Sequence, residues 1–248
     1  MKKIIQWGLR KNIRGFGYLV RKFFSDGRIV TETKYGSCIY ANPYEKIDNS
    51  VIRFGYFDDD VYETINQNIR PYDTFWDIGA NIGLHSITLK KNYPNLNCLA
   101  FEPFPKASEQ FLMNCNLNNL KIPLYSFALD RGKGIKNLYT SSYNLGSTGF
   151  SEFIPSWGMK TSIYVATYSI DQLIAEFKLA NPDIMKIDTE GNEINILKGA
   201  EQLLKSGNCR CIIFEANREI DQIVDLLESF SYEVVRLSEA PNYCAKII

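Results

Sequence analysis

Phe75-Trp76-Asp77-Ile78-Gly79-Ala80-Asn81-Ile82-Gly83 is the stretch whose reading decides the fold. An apolar run ends in an acid, two glycines follow at a spacing of four, and a helical pattern begins at Leu84. That succession spells a strand, a tight turn and a helix N-terminus. Glycine in such a turn lets a ligand approach the backbone, because no Cβ stands in the way. An ordinary connection between strand and helix satisfies the same pattern, so the loop alone does not establish a site.

Downstream, strands and helices alternate with short connections. Cys98–Phe101 reads as a strand ending at Glu102, Pro105–Leu117 as a helix and Ile122–Leu129 as a strand. Arg131-Gly132-Lys133-Gly134 marks a turn before a short strand at Lys136–Thr140, and residues 141–160 read as a long loop. Ile163–Tyr168, Ile184–Ile187 and Cys211–Phe214 read as strands, the last two ending at Asp188 and Glu215. Helices are expected over Ile170–Phe177, Glu193–Leu204 and Ile220–Phe230, and Tyr232–Leu237 with Tyr243–Ile247 closes the chain as two strands. Repeated strand–helix units predict an α/β fold with a mostly parallel, doubly wound sheet. The last two strands, with no helix between them, predict an antiparallel hairpin.

Upstream the pattern differs. Residues 1–24 carry seven basic residues and no acid, with Ile5, Leu9, Ile13, Phe16, Val20 and Phe23 on one helical stripe. A basic amphipathic helix of this kind lies on an anionic membrane surface or packs on its own domain, and both readings stay open. Residues 25–70 read as a small β-rich module with runs at Arg28–Thr33, Ser37–Tyr40 and Val51–Phe54, followed by a short helix at Val61–Asn68. Asp58, Asp59 and Asp60 precede that helix and either cap it, since acids favour the positive end of its dipole, or bind a cation, with capping the favoured reading. Residues 71–248 form the main domain.

Lysine plus arginine equals aspartate plus glutamate at 28 each, so no global field attracts nucleic acid. No segment approaches the roughly 20 apolar residues of a membrane span, and no secretory signal is visible. The six cysteines are scattered without a Cys-x-x-Cys, which predicts reduced core thiols and a cytoplasmic protein. With one histidine, a structural zinc site is not expected.

Ligands of open α/β sheets bind outside the carboxyl ends of the strands. Asp77, Glu102, Asp188 and Glu215 each stand at such an end, and four acids on one rim predict a site. A nicotinamide enzyme would want Gly-x-Gly-x-x-Gly, whereas Gly79-x-Asn81-x-x-Leu84 stands here. S-adenosylmethionine instead needs a carboxylate at the end of the second strand for its ribose. Glu102, 19 residues after Gly83, is placed for that, because a carboxylate accepts from both ribose hydroxyls.

Asp77-Ile-Gly-Ala-Asn-Ile-Gly83, Phe101-Glu102-Pro103 and Met185-Lys-Ile-Asp-Thr-Glu-Gly-Asn-Glu193 with Leu197-Lys-Gly-Ala200 resemble the FkbM family of S-adenosylmethionine-dependent methyltransferases. The similarity runs from about Asp73 to Leu237. It implies a seven-stranded class I methyltransferase (Rossmann-like) fold, with Asp77, Gly79, Asn81 and Gly83 around the methionine end of the cofactor. Glu102 matches the ribose-binding acid, and Ala128 and Leu129 match the place where adenine lies. Members mostly methylate hydroxyls of sugars and of polyketide-type natural products, and residues 1–70, outside the motifs, are expected to shape acceptor choice.

The Asn/Asp-Pro-Pro-Tyr/Phe run of nucleobase amino methyltransferases is replaced by Asp188-Thr189-Glu190-Gly191 after the fourth strand. A carboxylate-rich edge suits hydroxyl chemistry, in which the enzyme aligns the oxygen and removes a proton. Asp188, Glu190 and Glu215 are the candidate bases, Asp188 first, and Asp188 or Glu190 capping the next helix is the structural alternative. The same acids are open to a divalent cation. Lys186 shares a strand face with Asp188 and either orients a carboxylate or extends to the sheet edge. His85 is expected to be a hydrogen-bonding helix residue. The expected activity is O-methylation of a saccharide hydroxyl. A secondary-metabolite acceptor, and a non-catalytic cofactor-binding module, stand as alternatives.

Overall fold

The computed structural model describes residues 7, 8, 11, 13, 27–141, 148, 149 and 160–248. The amphipathic stripe expected over residues 1–24 and most of the 141–160 loop, with Tyr143, Ser147, Phe150 and Trp157, lie outside the described residues. Among the described residues no helix is long and apolar enough to cross a membrane.

The chain order is β1 (Ile29–Glu32), β2 (Cys38–Ala41), α1 (Lys46–Phe54), α2 (Asp59–Asn68), β3 (Thr74–Ile78), α3 (Leu84–Asn92), β4 (Asn97–Phe101), α4 (Pro105–Leu117) and β5 (Leu124–Tyr125). There follow β6 (Ala128–Leu129), β7 (Gly134–Ser141), β8 (Thr148–Gly149), β9 (Lys160–Tyr168), α5 (Ile170–Ala175), β10 (Ile184–Ile187), α6 (Glu193–Lys198) and α7 (Glu201–Ser206). The chain ends with β11 (Cys211–Glu215), α8 (Ile220–Glu228), β12 (Tyr232–Arg236) and β13 (Asn242–Ile247).

Seven strands form the main sheet in the order β12-β13-β11-β10-β3-β4-β5. Strands β11, β10, β3, β4 and β5 run parallel, and β13 is antiparallel to both β11 and β12. The chain starts at the centre with β3, winds outward to β5, then returns to β10 and winds the other way. The reversal between β3 and β10 opens a crevice at their carboxyl ends. Every residue of β3 and β10 is buried, as both faces of a covered parallel sheet require.

Two cores flank the sheet. Trp76, Ile78, Phe101, Met185, Ile187 and Phe214 pack on one face against α6, α7 and α8. Phe75, Ala100, Ile184 and Ile213 point to the other, where α3, α4 and the N-terminal module cover them through Ile87, Phe111, Tyr56, Val61 and Ile65. Residues of even and odd parity therefore meet different partners. Five of the six cysteines are buried, and none is in a disulfide.

Several elements differ from their sequence reading. Val51–Phe54, read as a strand, is the end of helix α1. Its buried residues Asp48, Val51 and Ile52 fall at helical spacing, and the β-branched pair mimicked a strand. The module at 27–70 thus holds two four-residue strands and two helices. Ile122–Leu129 splits, because Ala128 and Leu129 leave the main sheet to pair with Thr167 and Tyr168 of β9. They open a second sheet, β6-β9-β7-β8, that the sequence did not reveal. Glu193–Leu204 breaks into α6 and α7 at Gly199, where a Cβ would lie 2.3 Å from the Asp130 carbonyl oxygen.

Asp48, 1% exposed, accepts hydrogen bonds from Asn42 N (2.7 Å) and Gln110 Nε2 (3.2 Å) at one oxygen, while its other oxygen has no hydrogen-bond partner. Burial pushes its carboxyl up to about 7. Between the unfolded value and about pH 7 the folded chain therefore holds the extra proton, so stability falls as pH rises through that window. Asp48→Asn keeps an acceptor oxygen and carries no charge. It is expected to melt above the wild type at pH 8 by an amount worth on the order of 2–4 kcal/mol, and level with it at pH 4. Thermal unfolding at the two pH values checks this, and a variant less stable than wild type at pH 8 refutes it.

Candidate active site

The crevice at the carboxyl ends of β3, β4, β10 and β11 holds a cavity of about 470 Å³. One flank is apolar, with Phe101, Pro103, Phe127, Ala128, Leu129 and Leu138. The opposite flank, toward β11 and β13, carries Phe57, Asp58, Glu215, Asn217, Pro241 and Asn242. Among the charged residues lining it, five are acids (Asp58, Glu102, Asp188, Glu190, Glu215) and two are lysines (Lys46, Lys186). A cavity of this size and negative character suits a cationic small molecule.

Gly79 (φ +76°) packs its Cα face onto the β10–α6 turn, where a Cβ would fall 1.8 Å from the Asp188 carbonyl oxygen. Asn81 N donates to Glu102 Oε2 at 2.9 Å, and Phe104 N donates to Glu102 Oε1 at 2.8 Å. Each oxygen thus takes one backbone donor and keeps a further lone pair for a ligand hydroxyl. Burial pushes this carboxyl up to about 7, against the pull of the two backbone donors.

Asp77 and Gly83, expected around the methionine end of the cofactor, are not brought to the cavity. Asp77 is fully buried, with Oδ2 accepting from Ser86 Oγ at 2.5 Å and Oδ1 3.4 Å from Lys186 Nζ. It pairs with Lys186 in the β3–β10 register, so its side chain points into the sheet face beneath the loop. At Gly83 a Cβ would meet the Phe111 ring at 2.6 Å, so that glycine serves the packing of α4 on α3. Gly79, Asn81, Glu102, Ala128 and Leu129 do line the cavity.

Lys186, 5% exposed, sits at the hub. Its Nζ lies 3.3 Å from Asp188 Oδ2 and donates to the Gly79 carbonyl at 3.2 Å, besides its contact with Asp77. Burial disfavours its charge, but Asp188 and Asp77 more than offset that and raise it above the ordinary lysine range. The lysine orients acids and does not extend to the sheet edge.

Burial acts to raise Asp188, yet Lys186 and a hydrogen bond from Glu215 outweigh it and hold Asp188 below the usual carboxylate range. Glu215 shows the reverse: burial and the neighbouring Asp188 push it up to about 8. The two carboxyls thus move in opposite directions, Asp188 held down by Lys186 and Glu215 pushed up by burial and by Asp188. The buried Lys186 beside Asp188 lowers its proton affinity. Glu190 (φ +57°) is pushed up to about 7 by burial and by Asp188. Neither Asp188 nor Glu190 caps α6. Glu193 ties that turn instead, Oε1 accepting from Thr189 N (2.9 Å), Thr189 Oγ1 (2.9 Å) and Gly191 N (3.2 Å).

His85 lies against Tyr56, whose hydroxyl is 3.4 Å from Nδ1, and burial drives the imidazole down to about 4. Asp58, Phe57 and Lys46 line the cavity from the N-terminal module, a contribution that no local pattern announces. Among the described residues no three His, Cys, Asp or Glu side chains are grouped to hold a metal ion.

An apolar slot for a base, a free face of Glu102 for a ribose and an acid-rich wall for a sulfonium together fit S-adenosylmethionine. Residues 77–234 match the methyltransferase FkbM domain. Hexuronic acid methyltransferase AglP of Haloferax volcanii is 25% identical over 187 residues, covering 74% of this chain and 74% of that protein. Methyltransferase 1 of Beauveria bassiana is 26% identical over 181 residues, 66% of this chain and 72% of that one. Methyltransferase sdnD of Sordaria araneosa is 25% identical over 226 residues, 77% of this chain and 85% of that one. With the domain match spanning well over half of its length, the chain belongs to the FkbM family and is an S-adenosylmethionine-dependent methyltransferase.

Proposed function

We propose that this enzyme O-methylates a hydroxyl of a saccharide. The observation that carries the reading is the cavity lining, where Asp58, Glu215, Asn217 and Asn242 stand together with Phe57, whose ring has Lys46 Nζ 5.3 Å from its centroid. Carboxylates and amides lining one cavity match a sugar, whose vicinal hydroxyls need both acceptors and donors. The hexuronic acid methyltransferase of Haloferax volcanii, a sugar-directed relative, supports the same acceptor class.

Gly79–Asn81 and Glu102 would hold the methionine and ribose parts of the cofactor, with Phe127, Ala128 and Leu129 against adenine. When bound, the cofactor supplies an electrophilic methyl group on a sulfonium. Lys186 fixes Asp188 so that its carboxylate accepts a hydrogen bond from an acceptor hydroxyl and orients it. Glu215, its carboxyl pushed up by burial and by Asp188, offers a hydrogen-bond partner to a neighbouring hydroxyl. A seated acceptor excludes water from the acid-rich wall and strengthens each of these contacts.

The test is S-adenosylhomocysteine release with p-nitrophenyl glycosides of glucose, galactose, mannose, rhamnose and glucuronic acid, with a phenol and a polyketide lactone as controls. A glycoside gaining one O-methyl group, located by NMR, is the expected result. Methylation of the phenol or lactone with none on any glycoside would reject the saccharide in favour of a secondary-metabolite acceptor.

A further inference from the structure

Asp58 stands at the N-cap of α2, where an aspartate ordinarily turns its carboxylate onto the exposed N–H groups of the helix. The sequence assigns it that role, and the structure departs from it. Asp58 adopts the left-handed conformation (φ +54°) and makes no capping hydrogen bond. Its side chain lines the cavity instead. The first-turn N–H of Val61 is taken by Asp60 Oδ1 at 2.9 Å. Asp60 also anchors the segment to the C-terminal hairpin, accepting from Ser238 Oγ at 2.6 Å and Asn242 Nδ2 at 3.1 Å. The backbone carrying Asp58 is thereby pinned to the β13 side of the crevice, beside Phe57.

We propose that Asp58 is the base that receives the acceptor's hydroxyl proton, on a wall of the acceptor subsite supplied by the N-terminal module. The inference rests on the hydroxyl-acceptor reading above. In the step, an acceptor oxygen lone pair forms the new O–CH₃ bond and the C–S bond pair returns to sulfur. The O–H bond breaks toward the Asp58 carboxylate, so a neutral ether, a neutral thioether and one protonated carboxyl result.

The other acids are less suited. Asp188 is committed to Lys186, and Glu215 is engaged with Asp188 and with Asn217 Nδ2 at 2.7 Å. Glu190, in the β10–α6 turn with its backbone carbonyl 3.1 Å from the Cβ position of Gly149 in β8, is exposed. The charged groups facing Asp58 are Asp188 from the β10–α6 turn, Lys186 from β10, Asp60 from α2 and Lys46 from α1. Burial, followed by Asp188, sets its proton affinity at about 7, which suits a base working near neutrality.

Two measurements test this, one independent of any acceptor. Calorimetry of S-adenosylmethionine binding at pH 7 in buffers of different ionisation enthalpy counts the protons released as the cation enters. Asp58→Asn is expected to release about half a proton fewer than wild type, with the dissociation constant changed by less than about threefold. With the glycoside that the wild type methylates, Asp58→Asn is expected to lower kcat about 100-fold or more and to flatten the acid limb of its pH profile. Asp58→Glu should restore part of the rate, and Glu201→Gln, at an exposed acid outside the cavity, should retain most of it. An unchanged proton count overturns the proposal even if no glycoside is turned over, an outcome that by itself would reject only the saccharide reading. Wild-type-like turnover by Asp58→Asn, or a loss confined to Glu190→Gln, overturns it as well.

Discussion

Lys186→Met is expected to destabilise the fold by roughly 3–5 kcal/mol, lowering Tm by about 10 °C, and to abolish methyl transfer. The substitution removes the cation that lies between Asp77 and Asp188, whose side chains are 1% and 28% exposed. It also removes the donor to the Gly79 carbonyl, loosening the cofactor loop against β10. Methionine fills similar volume, so the loss is one of charge compensation and not of packing. The deficit is expected to depend on pH. In the wild type Asp188 is held below the usual carboxylate range, so its contribution is present at neutrality and lost as pH falls through that low value. In the variant the same carboxyl is buried without its lysine and gains stability when protonated, so the two curves converge as pH falls. Calorimetric unfolding at pH 8 and pH 5 checks both points, and Asp188→Asn in the Lys186→Met background should recover part of the loss. A Tm within about 2 °C of wild type at pH 8 would show that the lysine is dispensable.

Gly79→Ala is expected to weaken S-adenosylmethionine binding about 100-fold or more. The left-handed conformation alone costs a side chain about 1–2 kcal/mol. The greater effect is steric, because a Cβ 1.8 Å from the Asp188 carbonyl oxygen forces the two turns apart. That displacement of an ångström or more moves the cofactor loop and the Asp188 wall together, a scale of misplacement that costs on the order of 100-fold in rate. Gly132→Ala is the control: its Cβ position meets nothing within 4 Å, and it should bind cofactor as the wild type does. Calorimetry on both proteins separates the outcomes, and equal affinities would mean that the close approach of loop and turn is not needed for binding.

Much of the architecture is legible from local pattern. Alternation of strand and helix, the glycine turn at Gly79 and the acids at strand ends follow from periodicity and turn chemistry, which act over a few residues. Glu102, at the end of the second strand, pointed to the cofactor class, and the run after the fourth strand carried the family resemblance. Reading failed where a short segment had two fates. Val51-Ile52 suits a strand or a buried helix face equally, and only packing on β1 and β2 decides. Ala128 and Leu129 continue an apolar run in sequence, yet hydrogen-bond to a strand that begins more than 30 residues later.

The amino-acid sequence by itself determined the doubly wound sheet, the sulfonium cofactor and the acids at the strand ends. Only the tertiary structure decided which of those acids reach the cavity. Asp77 is turned beneath the loop by its register with Lys186, Gly83 is occupied by the Phe111 ring, and Asp58 enters from a separate module. The physical reason is range. A strand's end is set by its neighbours in the chain, whereas the charge, burial and proton affinity of a side chain are set by whatever the fold packs against it.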